Sequence, residues 1–300
     1  MFKEEVKSYF QHLQDTICEA IEATDGLGQF HEDKWEHATG GGGRTRLIQN
    51  GKILEKGGVN FSAVEGPVTD AMSKQMGITP NTTFFATGVS IVQHPINPMV
   101  PIIHMNVRYF ELSDGTYWFG GGIDLTPHLI DKPQARWFHE QLKKVCDAYG
   151  ENLYELFKKQ ADDYFFIPHR NETRGVGGIF FDHLNEESTS MTKDQIYAFV
   201  QAVGETFAPT YCHLMNENKA KPFSEADKNW QFLRRGRYVE FNLVWDRGTK
   251  FGLLTGGRTE SILMSLPAQA NWSYNYIPQK DSKEAETLSL LKKDIDWLNQ

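Results

Sequence analysis

Residues 102–110 read Ile-Ile-His-Met-Asn-Val-Arg-Tyr-Phe, and polar side chains alternate there with apolar ones. In an extended strand, successive side chains point to opposite faces. Ile103, Met105, Val107 and Tyr109 therefore suit a buried sheet face, and His104, Asn106 and Arg108 share the other. An imidazole moves a proton near neutral pH. A carboxamide orients a ligand, and a guanidinium grips a carboxylate through two parallel hydrogen bonds. Standing roughly 7 Å apart, two strand rises each, the three form either the floor of a pocket for an anionic small molecule or the solvent side of an ordinary strand.

Three other groups invite the same question. His94, His139 and His169 join His104 as candidate metal ligands, but none has the close i, i+4 spacing of a helical metal pair. They converge on a metal, or each is satisfied separately. Arginines recur near glycines: Arg44 and Arg46 after the tetraglycine 40–43, Arg174 before Gly-Val-Gly-Gly, and Arg258 after Gly256-Gly257, with Arg234, Arg235 and Arg237 clustered nearby in sequence. Glycine lets a ligand approach the backbone, so the pairing suits a polycarboxylate or phosphate. The alternative is salt bridges between elements. Asp124 follows Gly120–Gly122 on an aromatic segment. The glycines leave room for a flat macrocycle whose ring N–H groups a carboxylate would accept; otherwise Asp124 makes a turn or cap before Thr126-Pro127. The absence of GxxxxGK[ST] and of a convincing GxGxxG argues against a P-loop or a Rossmann site.

The elements that must hold these groups follow from periodicity and punctuation. Val6, Phe10, Leu13, Ile17 and Ile21 form one stripe of an amphipathic helix over 3–24. Strands are expected around 45–65, 83–93, 101–112 and 115–125, with a hairpin turn at Ser113-Asp114-Gly115. The tetraglycine between helix and strands reads as a flexible loop, a candidate lid over a site. Helices follow at 133–148, 151–165 and 192–207, the last opened by a Thr192/Gln195 capping box. Strands return at 174–182, 236–246 and 249–255; a short helix is expected at 257–265 and a final one at 282–298 with Asp281 as its N-cap. Strands, helices, strands, helix is not the alternation of a doubly wound sheet. The reading is α+β: one domain over 1–300, with a large, mainly antiparallel sheet flanked by helices.

Bulk properties narrow the function. With 300 residues, 40% of them hydrophobic and 13% aromatic, the chain folds around a sizeable core. A net charge of −8 argues against a general nucleic-acid surface. No run of about 18 apolar residues suggests a membrane span. Cys18, Cys146 and Cys212 are too few and too scattered for a disulfide framework, and the start Met1-Phe2-Lys3-Glu4-Glu5 resembles no signal or transit peptide. A cytoplasmic location is expected.

Taken together, the motifs resemble the oxygen-dependent coproporphyrinogen III oxidases. The matching stretches run from Trp35 to the C-terminal helix, and include Gly40–Arg44, Glu55–Asn60, His94-Pro95, His104–Phe110, Trp118–Pro127, His169–Glu172, Arg174–Gly178, Arg234–Leu243, Asp246–Thr249 and Gly256–Arg258. The resemblance implies oxidative decarboxylation of the ring A and B propionates of coproporphyrinogen III to vinyl groups, with O2 as co-substrate and no organic cofactor. It implies substrate contacts at Ser90, Asn106, Val107, Arg108, Gly256, Gly257 and Arg258, and His104 as proton donor. His94, His104, His139 and His169 match positions assigned to a divalent metal, such as manganese, in some bacterial members. It also implies a homodimer with contacts around 238–273. The chemistry suits the residues: a tetracarboxylate gives Arg108 and Arg258 a partner, an electron-rich porphyrinogen reduces oxygen without a flavin or haem, and Asp124 is placed to polarise a pyrrole N–H.

Overall fold

The computed structural model describes residues 2–254 and 256–300. Helix α1 (Phe2–Asp25) comes first, and its expected stripe of Val6, Phe10, Leu13, Ile17 and Ile21 is buried throughout. Each such side chain contributes about 1.5–3 kcal/mol through burial, which fixes this helix on the sheet. Then come β1 (Phe30–Glu36), β2 (Gly41–Gln49), β3 (Leu54–Pro67), α2 (Asp70–Met76), β4 (Thr83–Pro95), β5 (Ile102–Leu112) and β6 (Tyr117–Thr126). Helices α3 (Lys132–Asp147) and α4 (Leu153–Tyr164), the two-residue strands β7 (Phe166–Ile167) and β8 (Glu172–Thr173), and β9 (Gly177–Leu184) follow. The remaining regular elements are helical: α5 (Lys193–Asn218), α6 (Glu225–Glu240), a π-helical turn Phe241–Trp245, α7 (Arg247–Leu254), α8 (Thr259–Leu263), α9 (Lys283–Leu290) and a 3-10 turn Trp297–Asn299.

Seven strands form one sheet in the order β1-β2-β3-β4-β5-β6-β9, every pair antiparallel. Helices cover both faces, as expected of an α+β fold with a large antiparallel sheet. Ile103, Met105, Val107 and Tyr109 of β5 lie in the main core with residues of α1, α3, α4 and α5. The second face carries His104, Asn106 and Arg108, and is covered in part by α6 and by the helices after it: Val92 and Ile102 pack on Tyr238, and Phe180 packs on Phe241.

Several local expectations are corrected. The tetraglycine is not a free loop, because Gly41–Gly43 begin β2, paired with Val64–Ser62. A Cβ at Gly42 would strike Trp35 O, and one at Gly43 would strike Phe61 O, so these glycines let three strands close up rather than forming a lid. The segment 236–246 is helix and π-helical turn, not strand. Ser224 and Asp227 form a capping box that starts α6, and Trp230, Gln231, Arg234, Arg235 and Tyr238 are buried along it at helical spacing. Its aromatic and β-branched residues imitate strand composition, but burial at period 3.6 decides. The strand expected at 249–255 is the end of α7, with Thr255 outside the described residues. Helix α5 begins at its expected capping box but runs past 207, through Pro209, to Asn218. Burial of Tyr211, Leu214 and Met215 outweighs the roughly 3 kcal/mol an internal proline costs. The last helix is shorter than expected, and its N-cap is Ser282, whose side chain accepts from Ala285 N, not Asp281.

Candidate active site

Strand register lines up Asp33, Thr45, Asn60, Ser90, Asn106, Gly122 and Phe180 across the second face. Asn60, Ser90 and Asn106 are half-buried, so the middle of this row is an open polar floor. The next row in one direction holds His104 opposite Asp124, and in the other Arg108 opposite Gly120. Arg108 Nη2 lies 2.8 Å from Asp182 Oδ1, and Nη1 donates to Asn106 Oδ1 at 2.9 Å. A Cβ at Gly120 would sit 2.7 Å from Arg108 Nε and 2.8 Å from Asp182 Oδ1, so glycine there makes room for the ion pair. The pair leaves the Arg108 side chain 37% exposed. Burial pushes the Asp182 carboxyl up, but the Arg108 charge and hydrogen bond outweigh it and hold it low.

His104 sits on a buried ionic network. Its Nδ1 is 2.8 Å from Asp124 Oδ1. A carboxylate only accepts, so Nδ1 carries the proton and Nε2 is left towards the groove. Asp124 is 1% exposed and receives Arg174 through both oxygens, Nη2 to Oδ1 at 2.7 Å and Nε to Oδ2 at 3.2 Å. The Arg174 guanidinium lies 4.4–4.7 Å from the ring centroids of Phe165, Tyr238 and Phe241, and its Nη1 donates to Asn242 Oδ1 at 2.8 Å. Burial would raise the Asp124 carboxyl, but the Arg174 charge and His104 together keep it below its ordinary value. Asn242 belongs to the π-helical turn Phe241–Trp245, a backbone irregularity that often marks functional sites.

Two walls border the floor. On one side Arg258, at the N-cap of α8, pairs with Asp33 and donates to Ser261 Oγ at 3.2 Å. Met264 closes over Gly58, where any Cβ would strike its sulfur. On the other side Tyr164 stacks on Phe180 with centroids 4.1 Å apart, and the Arg247 guanidinium lies 4.9 Å from the Tyr164 centroid.

The structure thus brings His104, Arg108, Asn106, Ser90 and Asp124 to one face, with Arg258 at its rim. Gly256, with φ of +75°, and Gly257 lead into that rim. Val107 points into the opposite, apolar core and is fully buried. Asp124 is expected at a pyrrole N–H, but its burial and two engaged oxygens put it beneath His104 instead. Arg44 and Arg46 turn away from the groove and pair with Asp15 and Glu32. Arg234 and Arg237 bind Glu172, and Arg235 binds Glu55.

The four histidines of the expected metal set stand apart. His139 is buried in α3 on the main-core face, with Nδ1 to Tyr154 Oη and Nε2 to Val176 O, both at 2.9 Å. His94 Nε2 meets Ser265 O at 2.8 Å. His169 lies between Glu240 and Trp245. Among the described residues no three His, Cys, Asp or Glu side chains gather to hold a metal ion. The arrangement does not fit a shared four-histidine centre.

Sequence reasoning offered Arg174 as an anion-binding arginine but missed its pairing with Asp124, and it missed Asp182 and Asn242 altogether. Arg174 carried one signal, its place before a glycine run, but its partner Asp124 lies 50 residues earlier. Comparison with known proteins agrees with the geometry. The family model described as coproporphyrinogen III oxidase matches residues 5–297. An oxygen-dependent coproporphyrinogen-III oxidase of Dictyostelium discoideum is 46% identical, the match covering 99% of this chain and 95% of that one. A protein of the same name from Prochlorococcus marinus (strain NATL1A) is 44% identical, over 97% of this chain and 90% of that one.

Proposed function

This chain belongs to the coproporphyrinogen III oxidase family, and on that premise we propose that it converts coproporphyrinogen III to protoporphyrinogen IX in haem biosynthesis, with O2 as electron acceptor. For each propionate, R–CH2CH2–COO⁻ + O2 + H⁺ gives R–CH=CH2 + CO2 + H2O2. The two electrons leave the propionate as it loses CO2 and one hydrogen of the CH2 next to the ring, and the electron-rich macrocycle relays them to oxygen, so the reading asks for no organic cofactor.

The observation that carries it is the His104–Asp124–Arg174 network, with His104 two residues along β5 from Asn106 and four from the Arg108 clamp. Arg108 holds the reacting propionate, oriented by Asp182 and Asn106. His104 supplies the proton that the oxygen takes up: Asp124 holds the ring through Nδ1, while Nε2 is aimed at substrate. Arg174 keeps Asp124 ionised in its buried place, so Asp124 acts through His104 as a positioning residue. Arg258 binds a second carboxylate at the far rim. Ser90 and Asn106 make the floor between, and Gly256 and Gly257 let the substrate approach the backbone. No step runs through a metal.

The chain works, in this reading, as a single domain, in a homodimer joined around 238–273, where Leu243, Val244, Trp245, Leu253, Leu254 and Trp272 are exposed. Among the described residues no helix is long and apolar enough to cross a membrane. Three unpaired cysteines support a reducing compartment, the cytoplasm. The test is oxygen uptake by chelator-treated protein given coproporphyrinogen III, with porphyrin products resolved after oxidation. Divinyl product is the expected outcome. Turnover only after manganese is restored would bring the histidines back as ligands, and binding without turnover would make the protein a tetrapyrrole carrier.

A further inference from the structure

We infer that Asn60 is a substrate-contacting residue, its carboxamide NH2 donating to a carboxylate of the tetrapyrrole between the Arg108 and Arg258 positions. This rests on the reading above for the identity of the ligand, and on the following geometry for the contact.

Asn60 lies on β3 with its side chain on the floor, between Thr45 and Ser90. It is half-buried, while the Val59 and Phe61 side chains beside it are sealed in the main core. A hydrogen-bond chain sets which end of its amide faces the groove. Arg258 Nη1 donates to Ser261 Oγ at 3.2 Å. Ser261 Oγ lies 2.8 Å from Thr45 Oγ1. Trp35 Nε1, which can only donate, also reaches Thr45 Oγ1, at 3.2 Å. With both Thr45 lone pairs taken, by Trp35 and by the Ser261 hydroxyl, its single proton goes to Asn60 Oδ1 at 2.8 Å. The amide oxygen is thereby turned to the sheet's β2 side, and two N–H donors remain for the groove.

Position agrees with orientation. Asp33, which holds Arg258, is on β1, Asn60 on β3 and Asn106 on β5. At about 4.8 Å per strand, Asn60 stands midway along a span of roughly 20 Å. A tetra-acid lying across this floor leaves a carboxylate between two arginine-bound ones, and a neutral donor there reads it without the desolvation cost of a third cation. The chain also couples the rim to the floor: the arginine that binds one carboxylate starts the series of bonds that aims the donor for the next.

The experiment uses the full chain and two probes, coproporphyrinogen III for turnover and the fully oxidised coproporphyrin III for binding. Asn60→Asp keeps the size and the bond from Thr45 but replaces the NH2 by a carboxylate oxygen. Loss of a charge-assisted bond plus like-charge repulsion should raise both KM and the porphyrin Kd about 10- to 100-fold, with kcat within about threefold. Asn60→Ala, which removes the donor together with the oxygen that accepts from Thr45 but adds no charge, should raise them less. Thr45→Val, which frees the amide to turn, should raise them least. A merely structural role gives another pattern, with Ala as harmful as Asp and kcat falling alongside. KM and Kd unchanged in Asn60→Asp, or that second pattern, would overturn the inference. Should the Asp variant fail to fold, the Ala and Val variants decide by the same Kd readout. Wild type that binds porphyrin but forms no divinyl product would refute the reaction, not the contact, which the Kd ratios still judge. Wild type that binds no tetra-acid refutes both.

Discussion

Strand β5 belongs to two environments at once. On one side Met105 and Val107 are fully buried in the main core, under α5. On the other, one residue away along the strand, His104 is 20% and Arg108 37% exposed over a floor widened by Gly120 and Gly122. Large apolar side chains close the first face, and glycines and polar groups keep the second open. One strand can therefore carry stability and chemistry without compromise, because the pleat separates them. The dry face sets whether the protein folds, and the wet face sets what the folded protein does.

The sharpest challenge to that division is Arg174, which serves the wet face yet is 3% exposed. Arg174→Ala strands the Asp124 carboxylate in a buried site, which costs about 3–5 kcal/mol. Denaturant unfolding should show that loss, and activity should fall with it, because His104 loses its ordered support. A loss below about 1 kcal/mol would mean that Asp124 takes up a proton or water enters, and that chemistry and stability separate even here.

On β5 itself the division makes a paired prediction. Met105→Ala should cost about 2–5 kcal/mol of stability while leaving kcat/KM of the folded enzyme near wild type. Arg108→Ala should do the reverse, lowering kcat/KM about 10- to 1000-fold, or ~1.4–4 kcal/mol of transition-state binding, with unfolding free energy changed by less than about 1 kcal/mol. An Arg108→Ala protein with unchanged kcat/KM would remove it from the site.

The sequence made this alternation legible because period-2 patterning is local. The α1 stripe and the Thr192 capping box were legible for the same reason. What was hidden depends on contacts between distant segments. Nothing near Asp124 announces that Arg174 lies beneath it, so the local sequence offers a turn cap first and a ring N–H contact second, and neither is the buried ion pair. Residues 236–246 carry the Tyr, Val, Phe and Trp of a strand, and only their packing against β4, as in the His94–Tyr238 edge contact of 5.3 Å, selects helix. The tetraglycine misled in the other direction: flexible in isolation, it is where three backbones meet.

Acid should act on both faces together. Burial pushes His139 down to about 4 on the main-core side, and His128 down to about 3 beside α6. Both stay neutral in the native protein, whereas the unfolded chain takes up a proton near pH 6.5. Stability is therefore complete above about pH 6.5 and falls as pH drops towards 4, by about 1.4 kcal/mol per pH unit for each histidine. Asp124, held below its ordinary value, adds its own loss only under about pH 4. His128 Nδ1 meets Pro98 O at 3.1 Å, and His128→Asn keeps a donor for that carbonyl without the titration. Unfolding measured from pH 7 to 4.5 should show a slope lower by one proton. An unchanged slope would mean that His128 is not a neutral buried group in solution.

The smallest effect tests the rim, where neither face's rule is strong. Asp33 is on the edge strand β1, its side chain 54% exposed, and it holds Arg258, itself 29% exposed. Such a pair is worth about 0–1 kcal/mol, too little to matter for folding but enough to compete with a substrate carboxylate for the same guanidinium. Asp33→Asn should lower KM for coproporphyrinogen III by up to about fivefold at unchanged kcat, and added salt, which screens the exposed pair, should shrink the gap between variant and wild type. A raised KM would show instead that Asp33 aims Arg258 at its ligand, extending the positioning logic of Asp182 and Arg108 to the far edge of the sheet. A large drop in melting temperature would show that β1 needs the pair to stay in the sheet, and that the wet face also contributes to holding the fold together at its rim.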